Sequence, residues 1–204
     1  MEIITIPYGP LSSNMYIVRE GDSYIVIDPS VSPSEPSVKE ACDGSSPEAI
    51  IITHGHFDHM AEADEWQAKY PTVPIYMAHE DFMSCSDGLI NGSALFFKPR
   101  KMAFTPRDIS LIDNSTILGA HHCSIIRTPG HTPGQVCIVI DDNMFSGDML
   151  FEGGIGRCDL PGGDSNHMYE SIKKLFALDK DYKVYPGHGD STTLLREKQT
   201  NPFI

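Results

Sequence analysis

Thr53-His54-Gly55-His56-Phe57-Asp58-His59 is the stretch on which the reading of this chain turns. Three imidazoles and one carboxylate fall within the six residues from His54 to His59. Ahead of it runs Ala49-Ile50-Ile51-Ile52, an apolar, β-branched segment with the pattern of a strand buried on both faces. Behind it Met60, Ala61, Ala63, Trp66, Gln67 and Tyr70 recur at helical spacing. The pattern predicts a strand, a tight turn at Gly55 and a helix that starts near Asp58, where a helix N-terminus favours negative charge. His54 and His56 stand two apart, so extended backbone presents both rings to one side. Neutral imidazole and carboxylate oxygen are both transition-metal ligands, which favours a metal site over a solvent-facing loop that happens to hold histidines.

The chain around this stretch has 204 residues, enough for one well-packed domain. It is 40% hydrophobic and 21% charged, an ordinary globular balance. No apolar run approaches the roughly 20 residues that span a bilayer. The opening Met1-Glu2-Ile3-Ile4-Thr5-Ile6 alternates like a strand and has no basic segment, so it does not read as a signal peptide. Fifteen Lys and Arg against 28 Asp and Glu give a net charge of −13, which argues against nucleic acid or an anionic membrane as the main partner. The five cysteines, Cys42, Cys85, Cys123, Cys137 and Cys158, are odd in number and form no C-x-x-C pair. Reduced thiols and a cytoplasmic location are the expectation, with Cys123 and Cys137 as small core residues.

Three short strands are expected at Ile3–Pro7, Asn14–Arg19 and Tyr24–Asp28, and Asp28 either supports the histidine loop or caps a turn. A helix at Ser34–Cys42, a strand at Val73–Met77 and a helix start at His79-Glu80-Asp81 follow. Asp113-Asn114-Ser115 reads as a turn, Cys123–Arg127 as a strand, and Gln135–Ile140 with Met144–Ser146 as a hairpin. Ser165–Leu178 and Thr192–Gln199 carry helical patterns, with Lys183-Val184-Tyr185 a strand between them. Three of these strands end in a glycine-containing turn that holds one potential ligand: Pro129-Gly130-His131, Ser146-Gly147-Asp148 and Pro186-Gly187-His188. Singly, each is an ordinary turn; together with the H-x-H-x-D-H loop they point to one site.

The H-x-H-x-D-H pattern with these three turns resembles the metallo-β-lactamase superfamily, and the resemblance runs through essentially the whole chain. It implies a single α+β domain over residues 1–204, a four-layer α/β/β/α sandwich. It implies one metal held by His54, His56 and His131 and a second held by Asp58, His59 and His188, with Asp148 bridging. The cofactors would be two divalent ions, zinc first, with iron or manganese as alternatives. Phe151–Asp164, glycine-rich and next to Asp148, together with Asn201-Pro202-Phe203, resembles the short bacterial glyoxalase II branch. That likeness implies a thioesterase cleaving S-acyl thiols such as S-lactoylglutathione, with Asp58 orienting the attacking water. Arg157 and Cys158 in this loop are candidate substrate contacts. Longer glyoxalase II enzymes bind glutathione through a C-terminal helical region, and no counterpart is expected before Ile204.

Three rivals remain. A persulfide dioxygenase resembling a neighbouring branch would use one iron on His54, His131 and Asp148. A β-lactamase fits reduced thiols and the lack of an export signal less well. A non-catalytic metal-binding module would leave no open coordination position. The expected partner is a small thioester, and oligomeric state is left open.

Overall fold

Strands that are apolar on both faces need cover on both sides, and this chain provides it with two sheets packed face to face and helices outside them. The computed structural model describes residues 1–112 and 117–204, so the turn expected at Asp113-Asn114-Ser115 lies outside the described residues. The first sheet contains β1 (Glu2–Tyr8), β2 (Ser13–Glu20), β3 (Ser23–Ile27), β4 (Ala49–Ile51), β5 (Ile75–Met77) and β6 (Arg107–Asp108), in that spatial order. Its first three strands form an antiparallel meander, and β3 through β6 run parallel. The second sheet begins with β7 (Ile117–Leu118), β8 (His121–Arg127), β9 (Val136–Ile140) and β10 (Asn143–Gly147). A small hairpin of β11 (Leu150–Phe151) and β12 (Gly154–Ile155) precedes β13 (Lys183–Pro186) and β14 (Thr192–Thr193). The spatial order is β14-β13-β10-β9-β8-β7, with β10 and β13 parallel and the other neighbours antiparallel.

The strand period of two sorts the side chains into three cores. On β3 and β4, Tyr24, Val26 and Ile50 face one way, toward α1 (Pro36–Cys42) and α2 (Ala63–Lys69). Their neighbours Ile25, Ile27, Ala49 and Ile51 face the other way and meet Ile138, Ile140 and Phe145 of the second sheet. On the far side of that sheet, Cys137, Val139 and Met144 pack against Met168, Ile172 and Leu175 of the helix at Ser165–Phe176 and Leu194 of the helix at Leu194–Thr200. Three cores separate four layers, as the family resemblance implies. With α3 (Ser93–Phe96) in the long connection after β5, these last two helices are α4 and α5.

Two boundaries depart from the sequence pattern. The helix after the histidine loop begins at Ala63, not near Asp58. Residues 57–62 are instead tied to other segments: Ser13 Oγ donates to the Asp58 carbonyl at 2.9 Å, and the Glu62 amide donates to the Pro29 carbonyl at 3.0 Å. These long-range bonds outweigh helical propensity, so Asp58 is a turn residue rather than a helix N-terminal one. Likewise Thr192 and Thr193 extend the second sheet, and α5 starts two residues later than expected, at Leu194, with Thr193 Oγ1 accepting from the Arg196 amide. By contrast, Asp164 caps α4 as expected, accepting from the amides of Asn166 and His167.

Trp66 is fully buried between α2 and the first sheet, and its indole N–H donates to the Val31 carbonyl at 2.8 Å. Trp66→Ala should lower unfolding free energy by about 3–5 kcal/mol in a urea titration followed by circular dichroism. Met83→Ala, at a side chain 62% exposed, should change it by less than about 0.5 kcal/mol. Equal effects at the two positions would contradict this placement of the outer core.

Candidate metal centre

Strands β3, β4 and β5 are mutually parallel, as are β10 and β13, so their C-terminal ends gather at one edge of the sandwich. Every candidate ligand follows such an end. The histidine loop leaves β4, His131 follows β8, Asp148 follows β10 and His188 follows β13. Local sequence makes the turns close enough. A Cβ on Gly187 would overlap Asp148 Oδ1 and lie 2.7 Å from His59 Cε1, so only glycine lets the His188 turn pass behind the ligands.

Two buried carboxylates hold the histidine loop. Asp28, in left-handed backbone at φ 53°, accepts from the Thr53 amide at 2.7 Å, from Thr53 Oγ1 at 2.8 Å and from His59 Nδ1 at 2.8 Å. Of its two sequence readings, loop support is the one the structure adopts. Asp81, read from sequence only as part of a helix start, accepts from the Gly55 amide at 2.8 Å, Thr132 Oγ1 at 2.6 Å and the Gly134 amide at 2.7 Å. It thereby ties the His54–His59 loop to the His131 loop. Nothing local in the sequence announces this role, because the partners lie 26, 51 and 53 residues away.

All seven candidate ligands converge. Nitrogens of His54, His56 and His131 lie within 4.8 Å of one another, and so do ligand atoms of Asp58, His59 and His188. Asp148 stands between the groups: its Oδ2 is 3.4 Å from His131 Nε2 and 3.5 Å from His188 Nε2, and its Oδ1 is 3.4 Å from His59 Nε2. The outward nitrogens fix the ring tautomers. His131 Nδ1 donates to the Arg157 carbonyl at 2.7 Å and His188 Nδ1 to the Leu11 carbonyl at 3.0 Å, since a carbonyl can only accept. His59 Nδ1 donates to Asp28. Thr53 Oγ1 has already given its proton to Asp28, so at 3.1 Å it accepts from His54 Nδ1. With Nδ1 engaged on the outer side, it is Nε2 of each of these four rings that points into the cluster.

Some polar atoms of the cluster have no protein partner. His54 Nε2, His56 Nε2 and Asp148 Oδ1 are buried without a hydrogen-bond partner, and His56 Nδ1 stands 2.8 Å from His131 Nε2. Buried acceptors facing one another cost free energy unless a cation lies among them. The donor set of imidazole nitrogen and carboxylate oxygen thus fits divalent metal ions.

Electrostatics divide the site in the same way. Burial pushes the His54 imidazolium well below the usual histidine range, and burial with the neighbouring His131 brings His56 down to about 3. Burial also opposes charge on His59 and His188, but the carboxylates Asp148 and Asp58 outweigh it and raise both, His188 to about 9. Asp148 is buried too, yet the imidazoles of His59 and His188 hold its carboxyl well below the usual carboxylate range. Asp58 is lowered as well, since His59 and His188 overcome its burial.

A cavity of about 430 Å³ opens above this cluster, with His56, Asp58, His131, Asp148 and His188 in its floor and wall. Arg157 lines it, but its guanidinium is engaged by Asp159, with Nε–Oδ1 at 2.6 Å and a second bond at 2.7 Å. Its backbone carbonyl orients His131. The Cys158 side chain turns toward α4, beside Met168 and Ile172, and is not among the residues that line the cavity. Alternation along extended backbone sends it opposite to Arg157. The other four thiols are buried and free, Cys123 and Cys137 in the cores as expected. Among the described residues, no helix is long and apolar enough to cross a membrane.

Similarity to known proteins agrees with this geometry. The Metallo-beta-lactamase superfamily model matches residues 8–188. Hydroxyacylglutathione hydrolase GloC of Haemophilus influenzae is 35% identical over 159 residues, 76% of this chain and 74% of that protein. The crystal structure of the BLEG-1 B3 metallo-beta-lactamase has a TM-score of 0.90 at 31% identity and covers 99% of both chains. That of TTHA1623 in a di-iron-bound form has a TM-score of 0.83 at 33% identity, over 98% of this chain and 100% of the other. With the family match running through every ligand-bearing segment from the histidine loop to His188, the chain belongs to the metallo-beta-lactamase superfamily.

Proposed function

We propose that the chain is a divalent-metal-dependent hydrolase of thioesters, acting on S-acyl thiols such as S-lactoylglutathione. The observation that carries this reading is the convergence of His54, His56, Asp58, His59, His131, Asp148 and His188 at the base of a small-molecule cavity that His56, Asp58, His131, Asp148 and His188 line, with His54 Nε2, His56 Nε2 and Asp148 Oδ1 unpartnered. GloC, a relative named for hydroxyacylglutathione hydrolysis, supports the thioester class. His54, His56 and His131 would hold one cation and Asp58, His59 and His188 the other, with Asp148 between them. Zinc suits these ligands, and iron is the alternative favoured by the di-iron form of TTHA1623. Bound there, the cations would supply Lewis acidity and lower the pKa of water toward neutrality.

The protein's own groups do the rest. Asp28, Asp81, and the carbonyls of Leu11 and Arg157 keep the rings in one orientation, so little reorganisation accompanies reaction. Asp58, half-buried and facing the cavity with its carboxyl lowered, orients water and can accept its proton. A thiolate leaves readily, so no strong general acid is required of the chain. No side-chain nucleophile is needed, in keeping with Cys158 facing away.

The net charge of −13 supports a small-molecule substrate over nucleic acid or membrane, and five unpaired thiols support a cytoplasmic setting. A single-iron dioxygenase would use only His54, His131 and Asp148 and leave the intact Asp58–His59–His188 group without a role. The likeness to BLEG-1 favours β-lactam hydrolysis as the second reading.

The test is metal content by elemental analysis together with a panel of thioesters, a penicillin, a carbapenem and glutathione persulfide. Two metal equivalents per chain and thiol release from thioesters are expected; oxygen uptake with the persulfide, or turnover of the β-lactams alone, would refute the assignment. Asp58→Asn should lower kcat by about 10²–10⁴-fold with the fold retained by circular dichroism. Asp28→Asn, which replaces an acceptor of the His59 proton by an amide, should weaken metal affinity by about 10–100-fold. Unchanged metal affinity in that variant would show that Asp28 serves the fold alone.

A further inference from the structure

Resting on the thioesterase reading, we propose that the cavity selects thioesters bearing an aliphatic or aromatic group, and that it gains nothing from the charges of a carrier such as glutathione. Leu11, Phe57, Phe96, Phe151, Ile155 and Leu160 form its walls. They come from the β1–β2 turn, the histidine loop, α3 and the segment after Asp148, so the apolar lining is assembled from separate parts of the chain. Leu11 and Phe96 remain 36% and 45% exposed, apolar surface that a bound apolar group would cover. Phe151 stacks edgewise against His188 at 6.2 Å, which sets this lining directly beside the ligand cluster.

The arginine and amide side chains of the walls already hold protein partners. Arg157 is the one lysine or arginine lining the cavity among the described residues, and its Nε and Nη2 both donate to Asp159. Asn91 donates to the carbonyls of Ser84 and Arg100 and accepts from the Ser93 amide, which leaves nothing for a ligand. A glutathione thioester carries two carboxylates and an ammonium group. Drawn into this cavity they lose water and gain no partner, a desolvation cost without return. Outside it they contribute nothing to recognition.

The experiment uses metal-loaded protein and two series on a short uncharged frame. In one, N-acetylcysteamine carries acetyl, butyryl or hexanoyl; in the other, the acetyl thioester carries N-acetylcysteamine or benzyl thiol. S-lactoylglutathione and lactoyl-N-acetylcysteamine are run beside them. Each buried methylene is expected to raise kcat/KM by about threefold to fourfold, so butyryl should exceed acetyl by about tenfold, or benzyl should exceed its partner similarly. The two lactoyl esters should agree within about threefold. Phe96→Ala should cut the gain on butyryl or benzyl by about fivefold, whereas Leu95→Ala, equally exposed but off the cavity, should not. Calorimetry with unreactive S-hexyl-N-acetylcysteamine and S-hexylglutathione reads the carrier's effect without turnover, with affinities expected to agree within about threefold. Two flat series, or a tenfold advantage for the glutathione ester, would overturn this selectivity while leaving the thioesterase reading in place. No hydrolysis in any series would overturn that reading and the inference with it.

Discussion

The arrangement hangs on a buried carboxylate at the end of β3. Asp28 is 1% exposed and forms no ion pair with an arginine or lysine among the described residues; three donors from the histidine loop satisfy it instead. Hydrogen bonds to a charged group are worth about 1.5–3 kcal/mol each, and a buried carboxylate left without them would cost more than that. The loop therefore cannot leave Asp28, and Asp28 cannot be satisfied without it. This reciprocity turns His59 Nε2 inward, and through Thr53 Oγ1 it orients His54 as well.

The second sheet joins by a similar logic. Tyr16 and Asn14 of β2 both donate to the Pro186 carbonyl, and Asn14 also reaches the Gly189 carbonyl. The turn carrying His188 is thus fastened by side chains of the first sheet. Asp81 closes the other side by joining Gly55 to Thr132 and Gly134. Ligands from opposite sheets are held by bonds that cross between them, so the inter-sheet core and the site form one structure. The apolar pair Phe145 and Tyr185, stacked at 5.2 Å with Tyr16 edge-on, fills the space directly beneath.

Much of this was legible in the sequence because the informative patterns are local. The continuous apolar, β-branched runs in Tyr24–Ile27 and Val136–Ile140 predict strands, and the H-x-H-x-D-H spacing predicts that imidazoles share a face. Each distant ligand sits after a Pro-Gly or Ser-Gly turn, weak alone and informative as a set. What stayed hidden depends on contacts distant in sequence. The delayed start of α2 follows from bonds to Ser13 and Pro29, which no helical period encodes. Asp81 looked like any acidic residue at the start of a helix. Cys158 and Arg157 are adjacent in one glycine-rich loop, and only the direction of the backbone sends one to the cavity and the other to α4.

The account's central claim is that two sheets bring these side chains together as a holder for a pair of cations. Anomalous diffraction from a crystal of the metal-loaded protein tests it most directly. The account predicts two peaks about 3.5–4 Å apart, one among His54, His56 and His131, the other among Asp58, His59 and His188. A single peak, or peaks away from these residues, would contradict it.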